Sequence, residues 1–504
     1  MKIARLLTIF PLFVLMSLFL AIGSFAQVPN PQKPLSFEEI KSSLVQRVSG
    51  IATTNLIVKK RVEESGVDFE IDGTSETSLR AAGANDAVIA AIRESLCARF
   101  YNKALECKGD DQKCQIDLYT KSLSFNPNDT DALINRGLAL LKLEEFEKAI
   151  ADFTNAIDIS PKDASSYATR GNALRQSGQQ ERSIADYDKA IALEPAEANH
   201  YYNRSIAQHE LGNYDLAIRD LNKFIVMQPK DPDGFANRAN AYYEKNAFDL
   251  AIKDYTVAIS LSKDKSDLYV DRGRAYSDKK QYDLAIKDFD AAIKLNTKSA
   301  YAFNNRGFTY ALMKDYSKSF ADFDRAIEID PRAGRYLDRG QIYKESGNMA
   351  KAMQDFDQAI KLDPRSSVAY YYRGVLNSES KDYEKAIVDF NKSIELDDKS
   401  VDAHHERGMI YLDIEDYENA KKDFTKVIEL DPNSPGAFNN RGLIFRRTGE
   451  LQKAIEDLTA AIKLDPKDET AYLNRSIAYE ELGETQKAES DKKLAEQLEK
   501  LKKP

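Results

Sequence analysis

Histidine and cysteine are scarce in this chain of 504 residues, which has four and three of them. His200, His209, His404 and His405 lie far from Cys97, Cys107 and Cys114 and share no ligand spacing with them, so a metal site is not expected. A Gly-rich phosphate loop, a nucleophile elbow and an HExxH pair are also absent. No catalytic residue and no cofactor is therefore expected, and the chain does not read as an enzyme. Basic blocks are missing apart from the short tail Lys500–Lys503, and the net charge is -9. That balance argues against a phosphate-binding surface and a nucleic-acid partner.

Long apolar runs are missing too, except at the start. Lys2 and Arg5 precede an apolar run from Leu6 to Ile22, and Ser24, Phe25 and Ala26 supply a cleavage site before Gln27. Residues 1–26 read as a secretory signal peptide, with a retained membrane anchor as the alternative. Export to the periplasm or the exterior follows, with no membrane span after cleavage. An exported chain can hold disulfides. Cys107 and Cys114 flank a turn-like stretch, and their spacing suits a staple across a helix–turn–helix, against two free buried thiols. Cys97 is left over as a core residue.

The chain is dominated by a period. Arg recurs at 136, 170, 204, 238, 272, 306, 339, 373, 407, 441 and 475, in steps of 34 with a single step of 33. A small residue follows each one, such as Gly137, Ser205 or Ala239, and another comes twelve residues later, such as Ala149 or Ser183. An aromatic or Leu lies four residues further on, as in Phe153 and Leu221, and Pro often closes the unit, as in Pro161 and Pro466. Small residues let two helices approach closely, large ones fill the space between neighbours, and Gly or Asn near the middle (Gly212-Asn213, Gly347-Asn348) ends the first helix. A single such unit cannot bury its own apolar face, so units must stack.

These positions resemble the tetratricopeptide repeat family, whose 34-residue helix–turn–helix units carry Gly or Ala at position 8, Ala at 20, an aromatic at 24 and Pro at 32. The resemblance implies an all-α fold, an α-α superhelix or right-handed solenoid. Eleven repeats are expected over residues 130–502, starting at 130, 164, 198, 232, 266, 300, 333, 367, 401, 435 and 469. Before them come a degenerate repeat or N-terminal cap at 96–129, a small helical module at 35–95 and a Pro-rich tether at 27–34. Ser36 and Glu39 form a capping box at the start of the module. At the other end Glu489 and Lys492 replace apolar residues, so the last helix can face water, with Leu494, Leu498 and Leu501 as its inner stripe.

One feature departs from the family. Position 7 is Arg in all eleven units, and an Asp lies sixteen residues on: Arg136 with Asp152, Arg306 with Asp322, Arg441 with Asp457, and so through the series. Positions 7 and 23 are equidistant from position 15, where the hairpin turns, so the two reach the same height at 1.5 Å per residue. Recurrence in every unit points to a structural ion pair that fixes helix register.

The resemblance also implies a concave groove lined by positions 2, 5, 9, 12 and 13 of each first helix, where the family commonly holds an extended peptide or a partner helix. The candidate partner-binding residues there are Asn172, Arg175, Tyr202, His209, Asn240, Tyr243 and Arg274, followed by His405, Asn439, Arg446 and Arg447. Asn can pair with a peptide backbone, Arg can take a carboxylate in bidentate geometry, and Tyr adds area at small entropic cost. Lys is absent from positions 2, 5 and 9, so the clamp that chaperone-binding members use for acidic tails is not expected. The chain thus reads as a non-catalytic scaffold or adaptor for protein or peptide partners in the cell envelope or outside. The alternative is a substrate-presenting accessory subunit of an envelope enzyme or export system.

Overall fold

The computed structural model describes residues 33–46, 51–108, 111–262 and 264–502. The signal-peptide segment and most of the tether lie outside these residues. The described residues form 27 helices, and the single extended contact is an isolated parallel bridge between Leu35 and Val67. The chain divides into two compact units, residues 1–241 and 242–504.

The first unit opens with α1 (Phe37–Val45), α2 (Ile51–Ser65), α3 (Gly73–Ala81), α4 (Asp86–Leu105) and α5 (Gln112–Phe125). Ser36 and Glu39 close a reciprocal capping box at the start of α1. Ile40, Leu44, Val58, Val62, Leu79, Val88, Ile92 and Leu96 form the core of this region. The expected division at residues 95/96 falls inside α4, which runs unbroken because no Gly or Pro interrupts residues 86–107. One helix therefore serves both the module and the hairpin α4–α5. Ala104, Tyr119 and Leu123 pack that hairpin on Ala132 and Leu133. Cys107 and Cys114 are disulfide-bonded across its turn, with Cα atoms 6.1 Å apart. Cys97 is a buried free thiol 3.2 Å from the Ser122 hydroxyl, and burial pushes its pKa up to about 11.

Eleven hairpins follow as α6 to α27, with first helices starting at Thr130, Ala164, Ala198, Pro232, Ser266, Ala300, Ala333, Ser367, Val401, Pro435 and Glu469. The division between the two units falls within the fourth of these, α12 (Pro232–Glu244). In each hairpin the residue at position 15 has positive φ: Gly at five turns, from Gly178 to Gly483, and Glu, Asn or Lys at six, such as Glu144, Asn246 and Lys314. This left-handed residue ends the first helix. In the second hairpin the Gln179 N–H reaches back to the Leu174 carbonyl at 2.8 Å.

Position 8 is small because position 24 lies against it. A Cβ at Gly137 would sit 2.6 Å from the Phe153 ring, and one at Gly340 would sit 2.6 Å from the Phe356 ring. Phe153, Phe289, Phe323, Phe356, Phe390 and Phe424 are completely buried at this contact. The last helix, α27 (Thr485–Lys502), turns Ala488, Asp491 and Ala495 inward. Leu494 is 40% exposed and does not belong to the inner stripe expected of it. Asp491, three residues before Leu494, is turned inward to Arg475 at 2.6 Å.

Candidate functional site

Arg and Asp meet in every hairpin that lies wholly within one unit. In ten hairpins the Arg Nε and Nη2 donate to the two oxygens of a single Asp at 2.6–3.0 Å. The two residues of the eleventh, Arg238 and Asp254, fall on either side of the division between units. The aspartates are buried, and the pairs are bidentate, the strongest arrangement available to these groups. In nine hairpins the guanidinium also lies 5.5–5.8 Å from the aromatic ring at position 4. The ninth hairpin has His404 there instead, and its Nδ1 lies 3.0 Å from the same Asp423 oxygen that Arg407 holds. Burial raises the Asp423 pKa, but the bonds from Arg407 and His404 outweigh it and hold the group below the usual carboxylate range.

The third guanidinium nitrogen has a further role. All eleven Arg Nη1 groups donate to the hairpin before their own: to Thr120, Thr154, Thr256, Thr425 and Thr459 at 3.0–3.2 Å, to Asn222 and Asn391 at 2.6 Å, and to Asp188, Asp290, Asp324 and Asp357. Each of the ten Arg with a bidentate Asp thus ties three helices together. The acceptor is Thr, Asn or Asp in all eleven; in ten it lies two residues after the preceding Asp, and Thr120 lies two after Leu118. After Asp491, in the last hairpin, the same position holds Lys493. This signal was readable in the sequence and was missed there.

The helix face carrying positions 2, 5, 9, 12 and 13 is less uniform. Several of the candidate residues are occupied by neighbours one repeat away. Arg175 donates to Glu210 at 2.7 Å, and both side chains are largely buried. Arg446 donates to Glu481 at 2.7 Å, and Lys344 pairs with Glu379 at 2.8 Å in the same relation. The Tyr202 hydroxyl accepts from Asn237 at 2.9 Å, Asn172 accepts from the Tyr187 hydroxyl at 2.7 Å, and Asn439 accepts from Asn474 at 3.0 Å. His209 and His405 lie edge-on to Tyr214 and Phe424. Asn240 is half-buried, and Arg447 is exposed.

Tyr243 and Arg274 are brought together in the second unit. Tyr243 is near the end of α12, and Arg274 lies on α14 (Ser266–Asp278). The Arg274 guanidinium is 4.8 Å from the Tyr243 ring centre, and its Nη2 donates to the Tyr243 hydroxyl at 3.2 Å. That hydroxyl donates to Asp278. Asp271, one turn before Arg274, has a carboxylate oxygen 3.8 Å from Arg274 Nη1. Burial pushes the Asp271 pKa up to about 6; Arg274 offsets this in part and Asp267 adds to it. The phenols of Tyr243 and Tyr255 are also raised, first of all by burial. The sequence reading missed Asp271, although an Asp three residues before an Arg on one helix face was there to see.

Family models for the TPR repeat match residues 171–212, 273–314 and 442–483. Models described as tetratricopeptide repeat match 130–163, 300–332, 401–434, 333–366, 356–388, 424–456 and 210–266. Together these cover more than half of the chain, and the chain belongs to the tetratricopeptide repeat family. Repeats of this family serve in general as scaffolds for protein–protein interaction, and its members bind protein or peptide partners. A search of curated proteins finds no match. Among solved structures, a tetratricopeptide repeat protein from Parabacteroides merdae ATCC 43184 is 21% identical, over 49% of this chain and 98% of its own, with a TM-score of 0.43. YrrB, a TPR protein with an unusual peptide-binding site, is 27% identical over 36% of this chain and 92% of its own, with a TM-score of 0.31. Yeast Tom70 is 16% identical over 80% and 99%, with a TM-score of 0.42. No helix among the described residues is long and apolar enough to cross a membrane.

Proposed function

We propose that this chain is a non-catalytic scaffold, exported to the cell envelope or exterior, that holds extended protein or peptide partners along its helix-A groove. The observation that carries the reading is the contrast between the two kinds of Arg. Arg272, at position 7, holds both oxygens of a buried carboxylate, whereas Arg274 on the groove face donates to the Tyr243 hydroxyl and lies 3.8 Å from the Asp271 carboxylate. The groove residues that carry partner binding are Tyr243, Arg274 and the exposed Arg447. Arg175 and Arg446 serve instead to join one repeat to the next. Export is supported by the pattern of residues 1–26 and by the Cys107–Cys114 disulfide, which needs an oxidising compartment to persist.

Capture from the exported fraction tests the groove. A partner held by the wild-type chain and lost by the Tyr243→Ala, Arg274→Ala double variant, at an unchanged melting temperature, places binding at this cluster. Equal capture by both removes it from the site. Mass spectrometry of the protein from its native host tests the export: a mature chain beginning at Gln27 is expected, and a soluble cytoplasmic chain still beginning at Met1 overturns it.

A further inference from the structure

Asp271 and Arg274 form an incomplete ion pair. Their closest approach, 3.8 Å, is too long for a hydrogen bond. Among the described residues, Asp271 accepts no hydrogen bond and Arg274 donates to Tyr243 alone. Two residues away on the same helix, Arg272 donates three. The pair is partly desolvated, and neither group closes a hydrogen bond on the other. Both side chains are still reachable, Arg274 being 26% and Asp271 20% exposed.

The charges around the pair limit what it can take. From α12 the titratable group facing it is Tyr243, and from α13 (Phe248–Leu261) it is Tyr255. Asp267 and Arg274 face it from α14 itself, and Tyr301 from α16 (Ala300–Leu312). On α15 (Tyr282–Leu295), Asp288 is bound to Arg272. Arg274 offsets the charge of Asp271 in part while Asp267 adds to it and Asp278 lies beyond the Tyr243 hydroxyl, so an incoming carboxylate is set against these acids. A neutral group with one donor and one acceptor meets no such penalty. In an extended chain the N–H and C=O of a single residue point to the same side, as where two strands exchange a pair of bonds. Such a residue presents one donor and one acceptor to the gap between the Asp271 carboxylate and the Arg274 guanidinium.

We propose that Asp271 and Arg274 together are a main-chain-binding subsite, in which the Asp271 carboxylate accepts a ligand N–H while Arg274 donates to the C=O of the same ligand residue, and that protonation of Asp271 closes the subsite. The proposal rests on the groove reading above and adds its chemistry and its regulation. A protonated carboxyl no longer accepts as an anion, so binding is strongest above the titration of Asp271, near pH 6, and is lost as pH falls through it.

A library of acetylated, amidated random decapeptides free of Asp, Glu, His and Cys tests this without ligand titration. Peptides are selected on the full-length chain at pH 7.5 and measured at pH 7.5 and 5.0. Wild type is expected to lose about tenfold in affinity at the lower pH, as befits one charge-assisted hydrogen bond. Asp271→Asn, which keeps an oxygen but cannot titrate, is expected to show no change between the two. Arg274→Gln is expected to bind more weakly at both, and circular dichroism melts confirm that both variants are folded. Peptides that bind both variants like wild type, with the same pH profile, overturn the subsite and leave the groove reading standing. A library that yields no binder at either pH overturns both.

Discussion

Arg272 and Arg274 stand two residues apart on α14 and point into different surroundings. Arg272 faces the neighbouring second helices, where it holds Asp288 at 2.7 and 2.8 Å and Thr256 at 3.0 Å. Arg274 faces the groove, with one bond of 3.2 Å and an acid beyond hydrogen-bond reach. A guanidinium has five N–H donors in a fixed fork, and a buried one is costly unless they are used. The first side chain has been built into the stack, and the second has been left incomplete at a point that solvent still reaches. What separates the two is the partner: both oxygens of a buried carboxylate hold Arg272, whereas a phenol hydroxyl holds Arg274.

The largest effect that sharpens this contrast is on the Arg272 side. Arg272→Ala leaves Asp288 buried and unpaired and is expected to cost about 3–5 kcal/mol in urea unfolding. Arg272→Leu combined with Asp288→Leu removes both charges and fills the space, so its cost is expected to be well below that of the single change. A double variant less stable than the single one breaks the pairing argument.

Next comes Asp271→Asn, with the opposite sign. Asp271 titrates near 6 in the folded chain, against an ordinary value of 3.8. Its contribution to folding is therefore full only below about pH 4 and is lost as pH rises through 6, so at pH 7.5 the ionised group works against the fold. Replacing it is expected to stabilise the protein by about 2–3 kcal/mol at pH 7.5, with the gain vanishing near pH 4. Denaturation across that range reads the difference directly. A variant less stable than wild type at pH 7.5 shows that Asp271 is satisfied after all.

Packing on the buried side is tight as well as charged. Gly340→Ala is expected to cost about 1–3 kcal/mol, because its Cβ would lie 2.6 Å from a Phe356 ring with no space to move into. A thermal melt unchanged by this substitution sinks the close-contact account of position 8.

Most of the fold can be read in the sequence because one physical problem is solved eleven times. The Arg–small pair, the small residue at position 20 and the ring or Leu at 24 in all but the eleventh unit keep their phase over more than three hundred residues, and chance does not do that. The front region has no repeat to set a phase. Ser36 and Glu39 mark its first helix, but nothing in residues 86–107 says where module ends and hairpin begins, because a helix ends only where something stops it. The groove was harder for a different reason. Arg175 and Arg274 look equally suited to a ligand, but Glu210, thirty-five residues after Arg175, takes its charge, while Thr309 stands at that distance from Arg274. Whether a groove residue is available depends on the next repeat, so each repeat read alone overstates the number of binding residues.

The smallest predicted effect concerns the third bond of the ladder. Thr256 accepts from Arg272 Nη1 at 3.0 Å and itself donates to the Ile252 carbonyl at 2.7 Å. Thr256→Val keeps the shape and removes the acceptor, at an expected cost of about 1 kcal/mol, since the freed N–H lies on the exposed side and can turn to water. The cost is expected to fall in a cycle with Arg272→Leu, Asp288→Leu, where no guanidinium remains to be accepted. Additive losses mean that the hydroxyl matters only to its own helix. Coupled losses make the bond part of what joins one hairpin to the next, and they give Lys493 a meaning. An ammonium at that position only donates and offers an Arg no acceptor, unlike the Thr, Asn and Asp of the other hairpins.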